Sequence, residues 1–412
     1  MVQIDGELEP PLVNLQCADR TRFVANTNAA VFEMVDNLEH TAHNSTPAVL
    51  KRQQQRYGMN YTRNGIMYNR ALRDTGIYKP VDHCIRDWMH TLANAGLANV
   101  HIGLLIHVLV AYGISVQMIS DHVMEYTLPK KYGKVQRTWI TENRLKDDNL
   151  SSFAGTILAL VPILLCFLKE TIEPMGILAG HILCFSLLND IIDICRLGAD
   201  KAMAHIDRFA RVIAMHAEMF VELYPGAAKP KFHHLFHVID NMRWLGKLLS
   251  CFVTERKHRS SKKAALHVFR YMEHTVLSDM VNQMCEVMAD GALFTKTWLL
   301  NAQRYTVQDS ALHMSRGALL ECGEVKEGDI VWLISDFVGR VHSFWRQDNS
   351  PQVFIQIQIM DRILEDGTVY FTEFTHVMHF AEAATVLDAC IWIYKRPGVL
   401  KVLAPFAARL AA

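Results

Sequence analysis

Residues 229–263 read KPKFHHLFHVIDNMRWLGKLLSCFVTERKHRSSKK. Nine Lys and Arg against two Asp and Glu give this stretch a net charge of +7, in a chain whose 42 basic and 42 acidic residues cancel. Its first half carries His233, His234 and His237, and a loop centres on Gly246. The second half sets Glu255 and His258 inside the basic run Arg256, Lys257, Arg259, Lys262 and Lys263. Downstream, Ala265, Val268, Phe269, Met272 and Val276 form the apolar stripe of a long amphipathic helix. At 100° per residue Glu255 falls roughly 80° from the centre of that stripe, on the rim of the core, while Arg256 and Lys263 point to solvent. A carboxylate held at a core edge within a basic patch is the feature a function has to explain.

Upstream of that stretch, residues 128–228 read as helix throughout. A loop at Pro129-Lys130-Lys131-Tyr132-Gly133 opens the block, and Pro225-Gly226 closes its last helix. Residues 57–127 begin with Gly- and Asn-punctuated turns up to Pro80 and continue as a buried helix through Trp88, Leu92, Leu97, His101, Leu104, Leu105 and Val108. Asp87 stands where an apolar run hands over to that helix, a common position for an exposed catalytic carboxylate and equally for a helix N-cap. Residues 1–56 read as a weakly organised arm with one short helix at 29–38. Residues 301–322 read as a linker. From 323 to 405 the pattern turns to period-two alternation, with turns at 336–339, 348–351 and 365–367. Short strands joined by hairpins over so few residues suggest a small β-barrel of the SH3 or Tudor kind.

Composition limits the function classes. Half the residues are apolar and 20% are charged, ordinary globular usage. Zero net charge argues against a surface that binds nucleic acid everywhere, so any such contact is local. Nine cysteines without a C-x-x-C pair give neither a zinc cluster nor a disulfide scaffold, and reduced thiols suit a nuclear or cytoplasmic setting. The apolar runs at 153–168 and 176–188 fall short of the roughly 18–20 residues a membrane span needs, so they read as core helices and no membrane is expected.

Two metal-dependent chemistries compete at the central stretch. In one, Asp87 and Glu255 belong to an acidic constellation that holds Mg²⁺ (or Mn²⁺) for phosphodiester cleavage and strand transfer. Arg256, Lys257, Arg259, Lys262 and Lys263 then position the DNA backbone. This requires the two carboxylates to approach within about 4–8 Å. In the other, His233 and His237 share a helical face at i and i+4, and Glu255 and His258 supply further ligands to zinc or iron. Against both stands the plain reading in which the histidines are packed polar residues and the basic run is a solvated helix face.

The segment K-P-K-F-H-H-L-x-H, followed by Glu255-Arg256-Lys257-His258 and Lys262, resembles the closing part of the CACTA (En/Spm-like) transposases. There K-x-H-x-L-x-H, a Gly-centred loop and an F-E-x₆-K helix occur in that order. Thr254 replaces the Phe before the acid. Arg86-Asp87-Trp88-Met89-His90 resembles that family's D-x-M-H element, whose Asp is the second catalytic acid, and Tyr57–Tyr61 (YGMNY) resembles the turn leading into it. The family continues D-L-L-E-G where this chain has T-L-A-N-A-G. The resemblance covers about residues 57–300. It implies an α+β, predominantly helical chain: a partial RNase H-like core whose second and last acids flank an all-helical insertion, followed by the small barrel. It also implies DNA as a partner; the alternative is a domesticated binding protein without catalysis, in which the 229–263 patch touches nucleic acid and the barrel a protein or chromatin partner. The first catalytic Asp should precede residue 57 on a strand; Asp5, Asp19 and Asp36 lie on no run of strands, so the resemblance implies a chain that does not cleave DNA alone.

Overall fold

The computed structural model describes residues 28–57, 60–63, 65–80, 86–93, 96–145, 148–251, 297–307, 310–348, 350–365 and 368–405, with isolated short pieces elsewhere. The fold is α+β, about half helical, with most of the described helices before residue 251 and most of the described strands, in antiparallel sheets, after residue 297.

Two residue pairs near the N-terminus, β1 (Gln3–Ile4) and β2 (Glu7–Leu8), form a short antiparallel ladder. They are followed by α1 (Asn28–Asn44) and α2 (Pro47–Tyr57). The expected short helix at 29–38 is thus the first part of a 17-residue helix, and a second helix follows it. Val31, Val35, Leu38 and Thr41 make its buried stripe, a helical spacing that outweighs the Thr and Asn around it. Helix α3 (Arg70–Asp74) is tied to α1 by Arg73, whose guanidinium bonds both carboxylate oxygens of Asp36 at 2.7 and 2.9 Å.

The helical block proper contains α4 (Leu97–Ala111), α5 (Val116–Met124), α6 (Ala154–Phe167), α7 (Ala179–Arg196), α8 (Ile206–Leu223) and α9 (Pro230–Leu245). One continuous apolar core runs through them from Trp88 to Leu248. Helix α6 is buried on nearly all sides, as its apolar sequence requires, despite Pro162 within it. It does not stop at residue 168. A π-helical turn (Leu168–Ile172) and a 3₁₀ turn (Glu173–Met175) carry it on. The run Ala154–Met175, and likewise Met89–Ala111, is therefore long and apolar enough to cross a membrane, contrary to the expectation from 153–168 alone. Both are mostly packed inside the block, at 67% and 75% burial, and serve as its core helices. Gly103 allows α4 to pass the 148–149 loop, because a Cβ there would lie 2.8 Å from the Asn149 backbone.

Beyond residue 297 come β3 (Trp298–Leu299), β4 (Gln303–Val307), β5 (Ser310–Ser315), β6 (Gly317–Leu320), β7 (Gly323–Lys326) and β8 (Ile330–Leu333). They are followed by β9 (Val338–Gln347), β10 (Val353–Ile359), β11 (Asp361–Glu365), β12 (Thr368–Thr372), β13 (Met378–Glu382), β14 (Val386–Ala389), β15 (Trp392–Arg396) and β16 (Val399–Val402). The stretch 301–322 is a correction to the sequence reading. It holds β4, β5 and β6, all paired within the sheets, so the β region begins at Trp298 without a linker. The three expected turns fall between β8 and β9, β9 and β10, and β11 and β12. Among the described residues these strands make three antiparallel sheets, not a closed barrel. The long strand β9 is the spine of the seven-stranded sheet, pairing with β8 at its start, β10 along its length and β5 at its end.

Polar side chains and one backbone bridge weld the two halves. Thr127 and Trp392 exchange both backbone hydrogen bonds, at 2.8 and 3.1 Å. Asp388 accepts from Lys131 Nζ and Arg196 Nη2, each at 2.7 Å, and all three side chains are 13–15% exposed. Lys131 also donates to the Cys322 carbonyl at 3.0 Å, the Lys130 amide to Asp329 Oδ1 at 2.8 Å, and Lys401 pairs with Glu170. The loop at 129–133 read from the sequence is thus the main clasp on the β region.

Candidate functional site

Helix α9 is built from the histidine-rich half of the opening stretch. Pro230 occupies its first turn, where a missing N–H costs nothing, and Lys229 before it is extended. Gly246, with φ 67°, closes it in the left-handed conformation and donates its N–H to the Met242 carbonyl at 2.8 Å. Phe232, Leu235, Val238, Ile239 and Met242 bury one face in the helical core. That orientation turns His233 inward at 9% exposure and leaves His237 at the rim. Their Nε2 atoms lie 2.7 Å apart, so the sequence expectation that they share a face holds. Burial first, then the neighbouring His237, His234 and Arg86, push the His233 imidazole down to about 4. It is neutral at pH 7. His237 Nδ1 also faces Asp240 at 3.4 Å.

Asp87 sits against the far end of this same element. Its Oδ2 accepts from the His90 amide at 2.9 Å, a helix N-cap, and contacts His90 Nδ1 at 2.6 Å. Its Oδ1 accepts from the Cys251 amide at 2.8 Å, across 164 positions of sequence. Beside it the Arg86 amide donates to Asn241 Oδ1 of α9 at 2.6 Å. Asp87 is therefore both the cap and the anchor of the chain leaving α9. Glu255, Arg256, Lys257, His258, Arg259, Lys262 and Lys263 lie outside the described residues, and so does the expected amphipathic helix beyond them. The bond to Cys251 brings Asp87 to the segment four residues before Glu255.

Asp87, His90 and Cys251 each present a ligand atom within 4.8 Å of the others. This oxygen, nitrogen and sulfur set suits zinc better than magnesium, which demands hard oxygen ligands. On these donors alone a magnesium or manganese pair does not fit, and no cleavage step follows from them. Cys251 and Asn241 were not singled out in the sequence. Their place inside the opening stretch was the available signal, and only the packing of α9 on Asp87 reveals their use.

Asp36, weighed as a first acid, is bound to Arg73 on a helix surface, and that hydrogen bond holds its carboxyl below the usual value. Asp5 and Asp19 lie outside the described residues. Among the described residues of 28–251 there is no sheet on which a first acid could stand; the backbone bridge of Thr127 to Trp392 is the one β-type pairing there. No family model, no curated protein and no solved structure matches this chain.

Proposed function

We propose that this chain is a transposon-derived protein of CACTA type, directed to DNA by the basic stretch at 256–263 and unable to cleave DNA by itself. The observation that carries this reading is the docking of Asp87 on the Cys251 amide. It joins the D-x-M-H element to the exit of the K-P-K-x-H-x-L-x-H helix, the two motifs on which the resemblance rests, through a helical block that separates them in sequence. An RNase H-like core is part of the same proposal, with its last acid Glu255 on the segment that follows Cys251. The β region is then the platform for a protein or chromatin partner.

The test is DNA binding by the full chain, measured by fluorescence anisotropy on a labelled duplex across a salt series. Affinity should fall steeply with salt, and changing Lys262 and Lys263 together to Ala should reduce the log–log slope by about 2. Nicking of supercoiled DNA with Mg²⁺ or Mn²⁺ should stay at background. Salt-independent binding, or a double variant that binds like the parent, ends the proposal.

A second reading is favoured by the mixed donor set at Asp87, His90 and Cys251: a helical metalloprotein in which this group holds zinc without DNA. Zinc that is lost on Cys251→Ser, from a chain with no measurable DNA affinity, would select it.

A further inference from the structure

Three helices of the core meet at donors that neither reading uses. His101 on α4, Cys184 on α7 and His216 on α8 place one ligand atom each within 4.8 Å of one another. Their exposures are 0%, 0% and 1%. His101 Nδ1 and His216 Nε2 are 3.1 Å apart, and Cys184 Sγ lies 3.9 Å from the His216 carbonyl oxygen. Phe185, Phe220 and Tyr224 stand edge-on around the His101 ring at 5.2–5.5 Å. Among the described residues, His101 Nε2 and the Tyr224 hydroxyl have no hydrogen-bond partner, although both are buried.

We propose that His101, Cys184 and His216 form a structural site for a zinc-class transition-metal ion that ties α4, α7 and α8 together. Residue chemistry comes first: two imidazoles and a thiol are the ligand types of borderline metals, and three elements distant in sequence bring them to one point. Geometry agrees. A tetrahedral ion with bonds of about 2.0–2.1 Å to nitrogen holds its nitrogen ligands about 3.3–3.4 Å apart, so the two rings need to part by only a few tenths of an ångström. Packing alone explains the group less well. A core that merely filled space would use apolar side chains here, since each buried polar atom without a partner is destabilising. A single shared proton joins the two rings; an ion in its place would bond both lone pairs, the proton moving to the outer nitrogen of its own ring. Loading displaces the Cys184 thiol proton to solvent. Because the donors are enclosed, the ion enters as the helices assemble, and metal binding is coupled to folding.

The chain expressed in zinc-supplemented medium is purified and its metal measured by mass spectrometry, beside the variants Cys184→Ser, His216→Ala and Cys251→Ser. The parent and Cys251→Ser should each carry at least about one zinc per chain, falling at least tenfold in Cys184→Ser and His216→Ala. A folded parent without zinc overturns the proposal. So does metal lost in Cys251→Ser yet kept in Cys184→Ser, which places the ion beside Asp87. Should the core variants fail to fold, cobalt-loaded Cys251→Ser protein decides. A thiolate-to-cobalt charge-transfer band supports the site, and a folded, cobalt-bearing protein without that band refutes it.

Discussion

The helical block and the β region each break the rule that apolar residues go inside, and their clearest exceptions differ. The block buries polar groups: Asn99, His101, Asn189, Asp193 and His216 are each under 9% exposed. The β region leaves apolar groups in water: Phe374, Val377, Met378 and Phe380, on β13 and the turn before it, are 41–71% exposed. Strand β13 is the outer strand of its sheet, paired on one side with β10. The contrast teaches that polar groups inside a tightly packed helical core act on the fold itself, whereas apolar groups on a sheet edge face solvent and leave the core unchanged.

The largest expected effects test whether the two regions unfold together. Phe209→Ala in the block and Phe344→Ala in the β region each remove a fully buried ring. Each should cost about 3–5 kcal/mol in urea unfolding. If the polar clasp makes one cooperative unit, both should move a single transition followed by circular dichroism, and a variant that splits it into two breaks the comparison at its root. Asp388→Ala should cost about 3–5 kcal/mol, because it strands the largely buried Lys131 and Arg196 cations between the regions. A loss confined to a few tenths would show the clasp to be ornamental.

The same carboxyl predicts a pH dependence. Burial would raise it, but the charges of Lys131 and Arg196 more than offset that and hold it below 3.8. A carboxyl depressed in the fold contributes stability above its unfolded value and loses it as pH falls through the folded one. Acidification below about pH 4 should therefore weaken the parent more than Asp388→Ala, as read from parallel urea midpoints. The smallest effect belongs to the sheet edge. Phe380→Lys should change stability by no more than about 0.5 kcal/mol while reducing concentration-dependent self-association in sedimentation velocity. A strongly destabilised variant would mean that Phe380 packs inward and the contrast is misdrawn.

Reading from residues to structure succeeded where the signal is periodic and local. The helical block, the turns between strands and the shared face of His233 and His237 follow from spacing. It fell short where neighbours in space are far apart in sequence. The span 301–322 looked like a linker because its strands are short and gain their meaning only from pairing with β9 and β7. A closed barrel was expected from hairpin signals, yet hairpins do not state how the outer strands meet. Thr and Asn around α1 hide part of its regular apolar stripe, so the sequence shows only residues 29–38 as helix. At the site, Asp87 was found as a candidate, but its partner Cys251 was invisible until α9 packed beside it.

Apolar periodicity, Pro and Gly punctuation and the basic run around Glu255 were settled by the chain itself, because each depends on residues within a few turns of one another. The tertiary structure alone decided that Asp87 meets the exit of α9, that Asp388 joins two cations from the block, and that two imidazoles and a thiol share one enclosed point. Those pairings arise from burial of the helices against each other, a free energy that belongs to the assembled core and to no single segment.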